Sequence, residues 1–310
     1  MKLVFCGTPQ FAVASLERLV AAGHDVQLVV TQPDRPQGRG MELTAPPVKQ
    51  TALRLGLPVT QPEKIRKNEE FRARLAAIEP DAIIVVGYGR IIPDWMLQLP
   101  PHGNINVHAS LLPKYRGAAP IQWAIANGET ITGVTTMRID EGLDTGDILL
   151  KREMAIGSED TAVTLAPRLA NLGSELLVET LEQLQQGILQ PVAQDDSLAT
   201  LAPILKKEDG LVDFTRPATE IHNRLRGFQP WPGAYTQFRG KSLKIVAAQP
   251  AQAPQQIAPA ELRVSVDALL AGCGNGTALQ LLEVQPEGKR AMSARDFLSG
   301  YRPAQGERLG

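Results

Sequence analysis

The stretch NINVHASLLP, residues 104–113, joins an apolar strand pattern to an amide, an imidazole and a proline turn. Alternate side chains of a strand point to the same face, so Asn106 and His108 project together. Further along, DEGLDTGD, residues 140–147, follows another apolar run and forms an acidic loop with two glycines. Together the two segments can polarise a carbonyl and move protons without a metal or a thiol. They are the candidate site.

Around this stretch, short apolar runs alternate with amphipathic segments. The run AIIVV, residues 82–86, is aliphatic throughout, as expected for a strand buried on both faces. The βαβ alternation predicts an α/β fold with a doubly wound, largely parallel, Rossmann-like sheet, which binds ligands at the carboxyl ends of strands near the point where strand order reverses. The predicted strands are 2–6, 25–31, 82–86, 105–108 and 133–139, and the predicted helices are 11–22, 48–55, 68–78, 119–126 and 164–186.

The rest of the chain follows a different pattern. At 310 residues the protein is longer than one typical domain, and residues 190–200 lack any periodicity. Beyond them we predict a helix over 221–226 and short strands over 211–214, 234–238, 243–247, 263–266 and 279–284. This pattern indicates a smaller, mainly β domain with an OB-like barrel. The predicted organisation is a first domain over 1–189, a linker over 190–203 and a second domain over 204–310.

The charge balance excludes strong global attraction to nucleic acid or membranes, because the net charge is −1. The two parts of the chain differ, however. Residues 204–310 hold 14 Lys+Arg against 10 Asp+Glu, whereas residues 1–203 hold 18 against 23. A mildly basic second domain is compatible with a polyanionic partner, although ordinary solvated faces produce the same counts.

The cysteine positions and the lengths of the apolar runs exclude several further classes of protein. Cys6 and Cys273 lie in different predicted domains without a partner at metal-ligand spacing, so neither a disulfide framework nor a metal site is predicted. No apolar run is long enough for a signal peptide or a membrane span, and we expect a cytoplasmic protein without membrane binding. The turn GTPQ, residues 7–10, lacks the further glycines of a dinucleotide-binding fingerprint.

Several strings, in a fixed order, resemble the folate-dependent formyltransferases. They are FCGTP (5–9), TQPDRPQGRG (31–40), NVHASLLP (106–113), RGAAPIQ (116–122), GLDTGD (142–147), KEDG (207–210), NRLRGF (223–228) and PWPGA (230–234). Each string is short, but together they extend over both predicted domains. Within the family, QPDRPQGRG is similar to the branch that formylates methionine carried by bacterial initiator tRNA.

The resemblance implies a reaction and its catalytic residues. A formyl group would pass from 10-formyltetrahydrofolate to the α-amine of methionine esterified to initiator tRNA. Asn106 and His108 would donate hydrogen bonds to the developing oxyanion, and His108 would supply a proton as the intermediate collapses. Asp144 would hold the imidazole or take up the amine proton through a water. No metal takes part in this scheme.

The resemblance also implies folate contacts. The segment Ser110, Leu111, Leu112 and Pro113 would contact tetrahydrofolate, with the two leucines lining a slot for its aromatic ring. The donors and acceptors of the pterin ring need backbone partners. The candidate partners are Gly87, Tyr88, Gly89, Arg90 and Ile91, and Asp140 is a further predicted contact.

A long segment, residues 31–49, has no predicted structure over most of its length, which is typical of a binding loop. In the family this loop reaches the tRNA acceptor stem, with a basic residue at the position of Arg39. Met41 and Glu42 stand where we expect more basic residues, which argues for weaker tRNA contact through the loop. The predicted tRNA contacts are Arg35, Arg39, Lys206, Lys207 and Arg224. Nothing in the sequence indicates more than a monomer.

Three other functions share part of this pattern. A folate-dependent N-formyltransferase acting on a UDP-4-amino sugar would use the same chemistry on a different amine. Formylation of glycinamide ribonucleotide would need only the first domain and would leave the second without a role. A noncatalytic nucleic-acid-binding protein would have no need of Asn106, His108 and Asp144.

Overall fold

The computed structural model describes residues 1–37, 42–253, 257–265 and 268–310. The chain divides into two compact units, each built from more than one stretch of sequence. The first comprises Met1–Pro120, Ile131–Ala155 and Ala166–Ala202, and the second Ile121–Thr130, Ile156–Leu165 and Pro203–Gly310. Residues 190–202, which the sequence pattern assigned to a linker, thus belong to the first unit. None of the described helices is both long and apolar enough to cross a membrane.

Helices and strands alternate through the first part of the chain, close to the predicted bounds. In order they are β1 (Lys2–Gly7), α1 (Gln10–Ala21), β2 (Asp25–Val30), β3 (Arg35–Gln37), β4 (Glu42–Thr44), α2 (Pro47–Arg54), β5 (Val59–Thr60), α3 (Glu69–Ile78), β6 (Ala82–Val86), α4 (Asp94–Leu97), β7 (Asn104–His108), α5 (Pro120–Ala126), β8 (Ile131–Arg138), β9 (Ile148–Ala155) and α6 (Ala162–Gln186).

Seven of these strands form one sheet, in the order β5-β2-β1-β6-β7-β8-β9. The pairings from β5 to β7 are parallel, and β8 and β9 are antiparallel. The prediction of an α/β fold with a largely parallel sheet is confirmed. The sequence pattern does not predict β9, because the second half of this edge strand has alternating exposure and carries Lys151, Arg152 and Glu153.

Strand β7 lies inside the sheet, between β6 and β8. Its register pairs Val85 with Asn106 and His108 with Thr135. Helix α6 comes very close to β7 at Gly173, where a Cβ atom would lie 2.8 Å from Cγ1 of Val107. Val107 alternates with Asn106 and His108 along the strand, so this close packing fixes the face of β7 opposite to those two side chains.

The described parts of the segment 31–49 hold more regular structure than predicted. Strands β3 and β4 pair antiparallel, with Arg35 opposite Thr44 and Pro36 opposite Leu43. The sequence pattern does not predict these two strands, because each has only three residues, too few to show a period. Residues 38–41 of the segment, including Arg39, lie outside the described residues.

The second unit is mainly β, as predicted. Its elements are α7 (Ala218–Gly227), β10 (Ala234–Phe238), β11 (Lys241–Ala251), β12 (Leu262–Val264), β13 (Leu269–Gly272), β14 (Ala278–Pro286), β15 (Met292–Ser293) and α8 (Ala294–Tyr301). The antiparallel sheet runs β10-β11-β14-β13-β12, with β15 added beside β14. The C-terminal tail joins the two ends of this path, since Leu309 N–H donates to Ala260 beside β12 and Gly310 N–H donates to Gln237 on β10.

The predicted strand over 211–214 is wrong. Leu211 forms only an isolated bridge with Tyr235, and Val212 N–H donates one hydrogen bond to the Tyr235 carbonyl. Pairing stops there because the Asp213 carboxylate accepts the N–H of Thr215 at 3.0 Å, which bends the chain into a turn. Val266, at the end of the predicted strand 263–266, lies outside the described residues.

We predict that Gly173→Ala destabilises the first unit. The added methyl would meet Val107 at 2.8 Å and Val134 at 3.2 Å, and overpacking a tight core costs about 1–3 kcal/mol. Alanine regains up to about 1 kcal/mol of helix propensity, so a mid-range overpacking cost of about 2 kcal/mol leaves a net loss of about 1 kcal/mol, read as a lower denaturation midpoint.

Gly300→Ala is the matched control. Gly300 also lies in a helix, α8, but nothing approaches the position of its missing Cβ. This substitution should leave the midpoint unchanged or raise it. A Gly173→Ala protein as stable as the parent would contradict the proposed packing limit between α6 and β7.

Candidate active site

Strand β7 delivers a nearly buried imidazole to the carboxyl end of the sheet. His108 is 5% exposed, and its Nε2 lies 2.9 Å from the backbone oxygen of Tyr115. A carbonyl oxygen only accepts hydrogen bonds, so this contact assigns a proton to Nε2. Nδ1 is therefore the ring nitrogen that faces the acidic loop, 3.7 Å from Oδ2 of Asp144.

Asp144 contacts three groups with one side chain. Its Oδ2 accepts the N–H of Gly117 at 2.8 Å and faces His108, while its Oδ1 lies 3.5 Å from Nδ2 of Asn106. The residue has φ 53°, a left-handed conformation that costs a non-glycine residue about 1–3 kcal/mol. Such a backbone persists only where its surroundings hold it.

The three predicted catalytic side chains, Asn106, His108 and Asp144, therefore converge. An amide NH₂ group has two N–H donors, and the Asp144 carboxylate can engage only one of those on Asn106. The second remains available to an oxygen atom of a substrate. An amide donor, an imidazole nitrogen and a carboxylate together suit a reaction that builds negative charge on oxygen and moves a proton.

The turn after His108 is held from within. Ser110 is fully buried; its hydroxyl donates to the Lys114 carbonyl, and its own carbonyl accepts the hydroxyl of Thr135. Leu112 is 1% exposed and packs with Met137 and Ile148. Ser110 and Leu112 thus support the turn, whereas Leu111 and Pro113 are partly exposed.

An open pocket of about 460 Å³ lies beside the acidic loop. This volume is typical of a small-molecule site. The predicted folate contact Asp140 lines it, and the carboxylate of Asp140 also accepts the hydroxyl of Thr145 at 2.7 Å. The lining residues are Asp94, Leu97, Gln98, Ile139, Asp140, Glu141 and Gly142.

Strand β7 also supports this pocket through a residue that the sequence analysis did not select. Asn104 is 1% exposed, and its Nδ2 donates to the carbonyls of Met96 and Leu97 at 2.8 and 3.2 Å. It thereby ties α4, which contributes Asp94 and Leu97 to the pocket, to the strand that carries Asn106 and His108. Asn104, Asn106 and His108 are spaced i, i+2 and i+4 and so share one face of the strand. This spacing is the sequence signal by which Asn104 could have been identified.

The predicted backbone loop after β6 is divided between core and surface. Tyr88 is 2% exposed, and its carbonyl accepts hydrogen bonds from the Gln32 amide at 2.9 Å and the Thr8 hydroxyl at 3.2 Å. Burial raises the pKa of the Tyr88 phenol. Gly87 and Gly89 are exposed, Arg90 is partly exposed, and Ile91 is 91% exposed.

The predicted tRNA contacts have different surroundings. Arg35, Lys206 and Lys207 are exposed, and Arg39 lies outside the described residues. Arg224 is partly buried: its guanidinium lies 4.8 Å from the ring centroid of Phe228 and 5.7 Å from that of Trp123. Burial, and then the nearby charge of Arg216, lower the pKa of Arg224. Arg224 also donates to the Asp209 carbonyl at 3.2 Å, which gives it a structural role in the second unit.

An ion pair holds the base of the segment 31–49. Lys49 Nζ lies 2.7 Å from Oδ2 of Asp34, and the Gln61 amide donates to Oδ1 at 2.7 Å. The Gln61 hydrogen bond, followed by that of Lys49, lowers the pKa of Asp34. The ends of the segment are thus fixed to the sheet edge, since Gln61 directly follows β5.

In the described part of the chain, no group of His, Cys, Asp and Glu side chains could hold a metal ion.

Comparisons with known proteins agree for both parts of the chain. Residues 1–181 match the family model described as "Formyl transferase", and residues 204–302 match "Formyl transferase, C-terminal domain". Among solved structures, the N-formyltransferase of Helicobacter canadensis, with folinic acid and dTDP-3-aminofucose, has a TM-score of 0.65 at 19% identity, covering 92% of this chain and 99% of its own. HypX of Aquifex aeolicus with tetrahydrofolic acid has a TM-score of 0.60 at 18% identity, covering 99% of this chain and 48% of its own. At such identities these structures show the fold alone.

Curated relatives are far more similar in sequence. The methionyl-tRNA formyltransferase of Koribacter versatilis is 68% identical over 310 residues, covering 100% of this chain and 99% of its own. That of Acidobacterium capsulatum is 63% identical and covers 100% of both chains. With identity this high over the full length, and with Asn106, His108 and Asp144 assembled in one site, the chain belongs to the methionyl-tRNA formyltransferase family.

Proposed function

We propose that this protein transfers the formyl group of 10-formyltetrahydrofolate to the amino group of methionine carried by initiator tRNA. The observation that carries the proposal is the convergence of Asn106, His108 and Asp144, together with an open pocket lined by Asp140, Glu141 and Gly142 of the same acidic loop. Relatives that share 63–68% of the sequence over the full chain support it. The distant fold neighbours do not favour an amino-sugar acceptor, because their identity of 18–19% carries only the fold.

In the proposed reaction the methionine nitrogen attacks the formyl carbon, and the bond from that carbon to the folate nitrogen then breaks. Negative charge builds on the formyl oxygen, where the free N–H of Asn106 donates a hydrogen bond. His108 takes the proton lost by the attacking amine on Nδ1, because Nε2 is already bonded to the Tyr115 carbonyl. The same proton then passes to the departing folate nitrogen, so atoms and charge balance over the cycle.

Asp144 supports both partners during these steps. Its Oδ2, 3.7 Å from Nδ1 of His108, stabilises the positive charge that the ring acquires when it takes the amine proton. Its Oδ1 orients the amide of Asn106 towards the substrate. The Gly117 N–H holds the carboxylate between them at 2.8 Å.

The folate would occupy the pocket beside the acidic loop. The pterin ring carries several N–H donors, and the carboxylates of Asp94, Asp140 and Glu141 in the lining are acceptors. The exposed backbone of Gly87 and Gly89 would supply further partners. Ser110 and Leu112 would act indirectly, through the turn that they hold, and Leu111 and Pro113 would touch the ligand.

For the tRNA, the exposed cations are the candidates for phosphate contact. Arg35 lies on β3, directly after Asp34, and Lys206 and Lys207 lie near the start of Pro203–Gly310, the longest stretch of the second unit. Arg39 belongs to the same hairpin segment by sequence. Arg224 would act by stabilising the fold of the second unit, through its contacts with Trp123 and Phe228.

We predict that His108→Ala lowers kcat for formylation of initiator methionyl-tRNA by about 10²–10⁴-fold, the usual contribution of a general acid–base group. The assay should follow formyl transfer from 10-formyltetrahydrofolate, with a UDP-4-amino sugar as a parallel acceptor. His102→Ala, a partly exposed histidine before the same strand, is the matched control and should keep the parental kcat.

Near-normal turnover by His108→Ala would refute its assigned role. Transfer by the parent protein to the sugar alone would keep the mechanism and refute the tRNA acceptor.

We predict that Arg35→Ala raises the KM for methionyl-tRNA and leaves the KM for the folate unchanged. Loss of one phosphate contact should also reduce the slope of log affinity against log salt by about one. Arg74→Ala, which removes an equal charge from the exposed face of α3, is the control. Equal salt slopes for the parent and Arg35→Ala would show that the hairpin makes no phosphate contact through this residue.

A further inference from the structure

We infer that Gln194 is a positioning residue for formyl transfer, acting through Asp144 from the segment that the sequence pattern assigned to a linker. The inference rests on the proposed function, since it assigns the residue to the same site. Gln194 does not face the site with its own amide. It holds the acidic loop in the conformation that brings the Asp144 carboxylate to Asn106 and His108.

The amide of Gln194 uses its full hydrogen-bonding capacity. Its Nε2 donates to the carbonyl of Asp144 at 2.9 Å and to that of Gly146 at 2.7 Å. Its Oε1 accepts from Nε and Nη2 of Arg116 at 3.1 and 2.8 Å. Two donors and two acceptor sites are all that a primary amide offers, and each one is engaged.

The chemistry of the partners dictates the orientation of this amide. Arginine has only donors and a carbonyl has only acceptors, so Oε1 must face Arg116 and the NH₂ group must face the acidic loop. A carboxylate at position 194 would suit Arg116 equally well. It would be repelled by the two carbonyls of Asp144 and Gly146.

Arg116 is a firm support for this arrangement. Its side chain is 8% exposed, and a further hydrogen bond joins it to Asp196 at 2.7 Å. Its backbone pairs with the same segment, because its N–H donates to Thr200 at 2.8 Å and its carbonyl accepts from Ala202 at 2.7 Å. Residues 194–202 are therefore attached to Arg116 through both side chain and backbone.

Two neighbouring residues, Arg116 and Gly117, hold both the side chain and the backbone of Asp144. Gly117 N–H binds the carboxylate, and the neighbouring Arg116 reaches the Asp144 carbonyl through Gln194. The Asp144 backbone is left-handed, with φ 53°, so it needs such support. Without Gln194, the carbonyls of Asp144 and Gly146 lose their side-chain donor, and the backbone of the loop is less firmly held while Gly117 still binds the carboxylate.

Gln194→Glu tests this inference because it changes polarity without changing shape. It keeps an acceptor for Arg116 and removes both donors to the loop. We expect kcat to fall by about 10–10²-fold, the effect of a misplacement of about 1 Å at a reacting group, with the KM for folate and for methionyl-tRNA changed less than about threefold. Gln190→Glu places the same charge at an exposed position nearby and should leave kcat unchanged.

Two further readouts separate positioning from a general loss of structure. In an Asp144→Asn background, Gln194→Glu should cost much less in kcat, because both changes disturb one unit. Amide hydrogen exchange at Gly117, whose N–H binds the Asp144 carboxylate, should be faster in Gln194→Glu than in Gln190→Glu. If Gln194→Glu fails to fold, Gln194→Met, an apolar side chain of similar length, is judged by the same measurements.

The outcomes distinguish this inference from the proposed function. An unchanged kcat, a loss confined to KM, or an equal loss in the Asp144→Asn background would overturn it. A parent protein that formylates no methionyl-tRNA would refute the proposed function, and the exchange rate at Gly117 would still decide the role of Gln194. Parental exchange at Gly117 in the substituted protein would overturn the inference even then.

Discussion

Strand β7 is constrained on both faces, and the site depends on this constraint. Val107 packs against the helix α6 at the position of Gly173, where no room remains for a methyl group. The pleat then places Asn104, Asn106 and His108 on the other face of the strand. Asn104 binds α4, which lines the pocket. Because the strand pairs with β6 and β8 on its two edges, it cannot slide without moving a core side chain into the site.

The groups proposed to be catalytic come from distant parts of the sequence. Asp144 lies within the loop between β8 and β9 and has a strained, left-handed backbone, so its position depends on hydrogen bonds from Gly117 and Gln194. Those donors belong to segments that contact each other through Arg116. A carboxylate that contacts two partners must be positioned more precisely than one that only contributes charge. This requirement explains why several hydrogen bonds hold the backbone around Asp144.

The fold and the acceptor specificity have separate origins. The N-formyltransferase of Helicobacter canadensis and HypX of Aquifex aeolicus share this fold at 18–19% identity, and a shared fold does not by itself select an acceptor amine. The hairpin of residues 31–49 and the second unit carry the features on which the tRNA proposal rests. Asp34 and Lys49, which lie on either side of β3 and β4 in the sequence, are tied to the sheet edge through Gln61.

Much of this protein follows from local sequence. Alternating apolar runs determined the α/β class and most of the strands, because burial on one or both faces leaves a clear period. The spacing of Asn106 and His108 determined that they share a strand face. Short elements such as β3 and β4 were not predicted, and a turn at Asp213 takes the place of the predicted strand 211–214. Only the tertiary structure decided which nitrogen of His108 faces Asp144, and it placed Gln194 beside Asp144. Hydrogen bonds between residues fifty positions apart leave no period in the sequence, so the folded chain alone defines them.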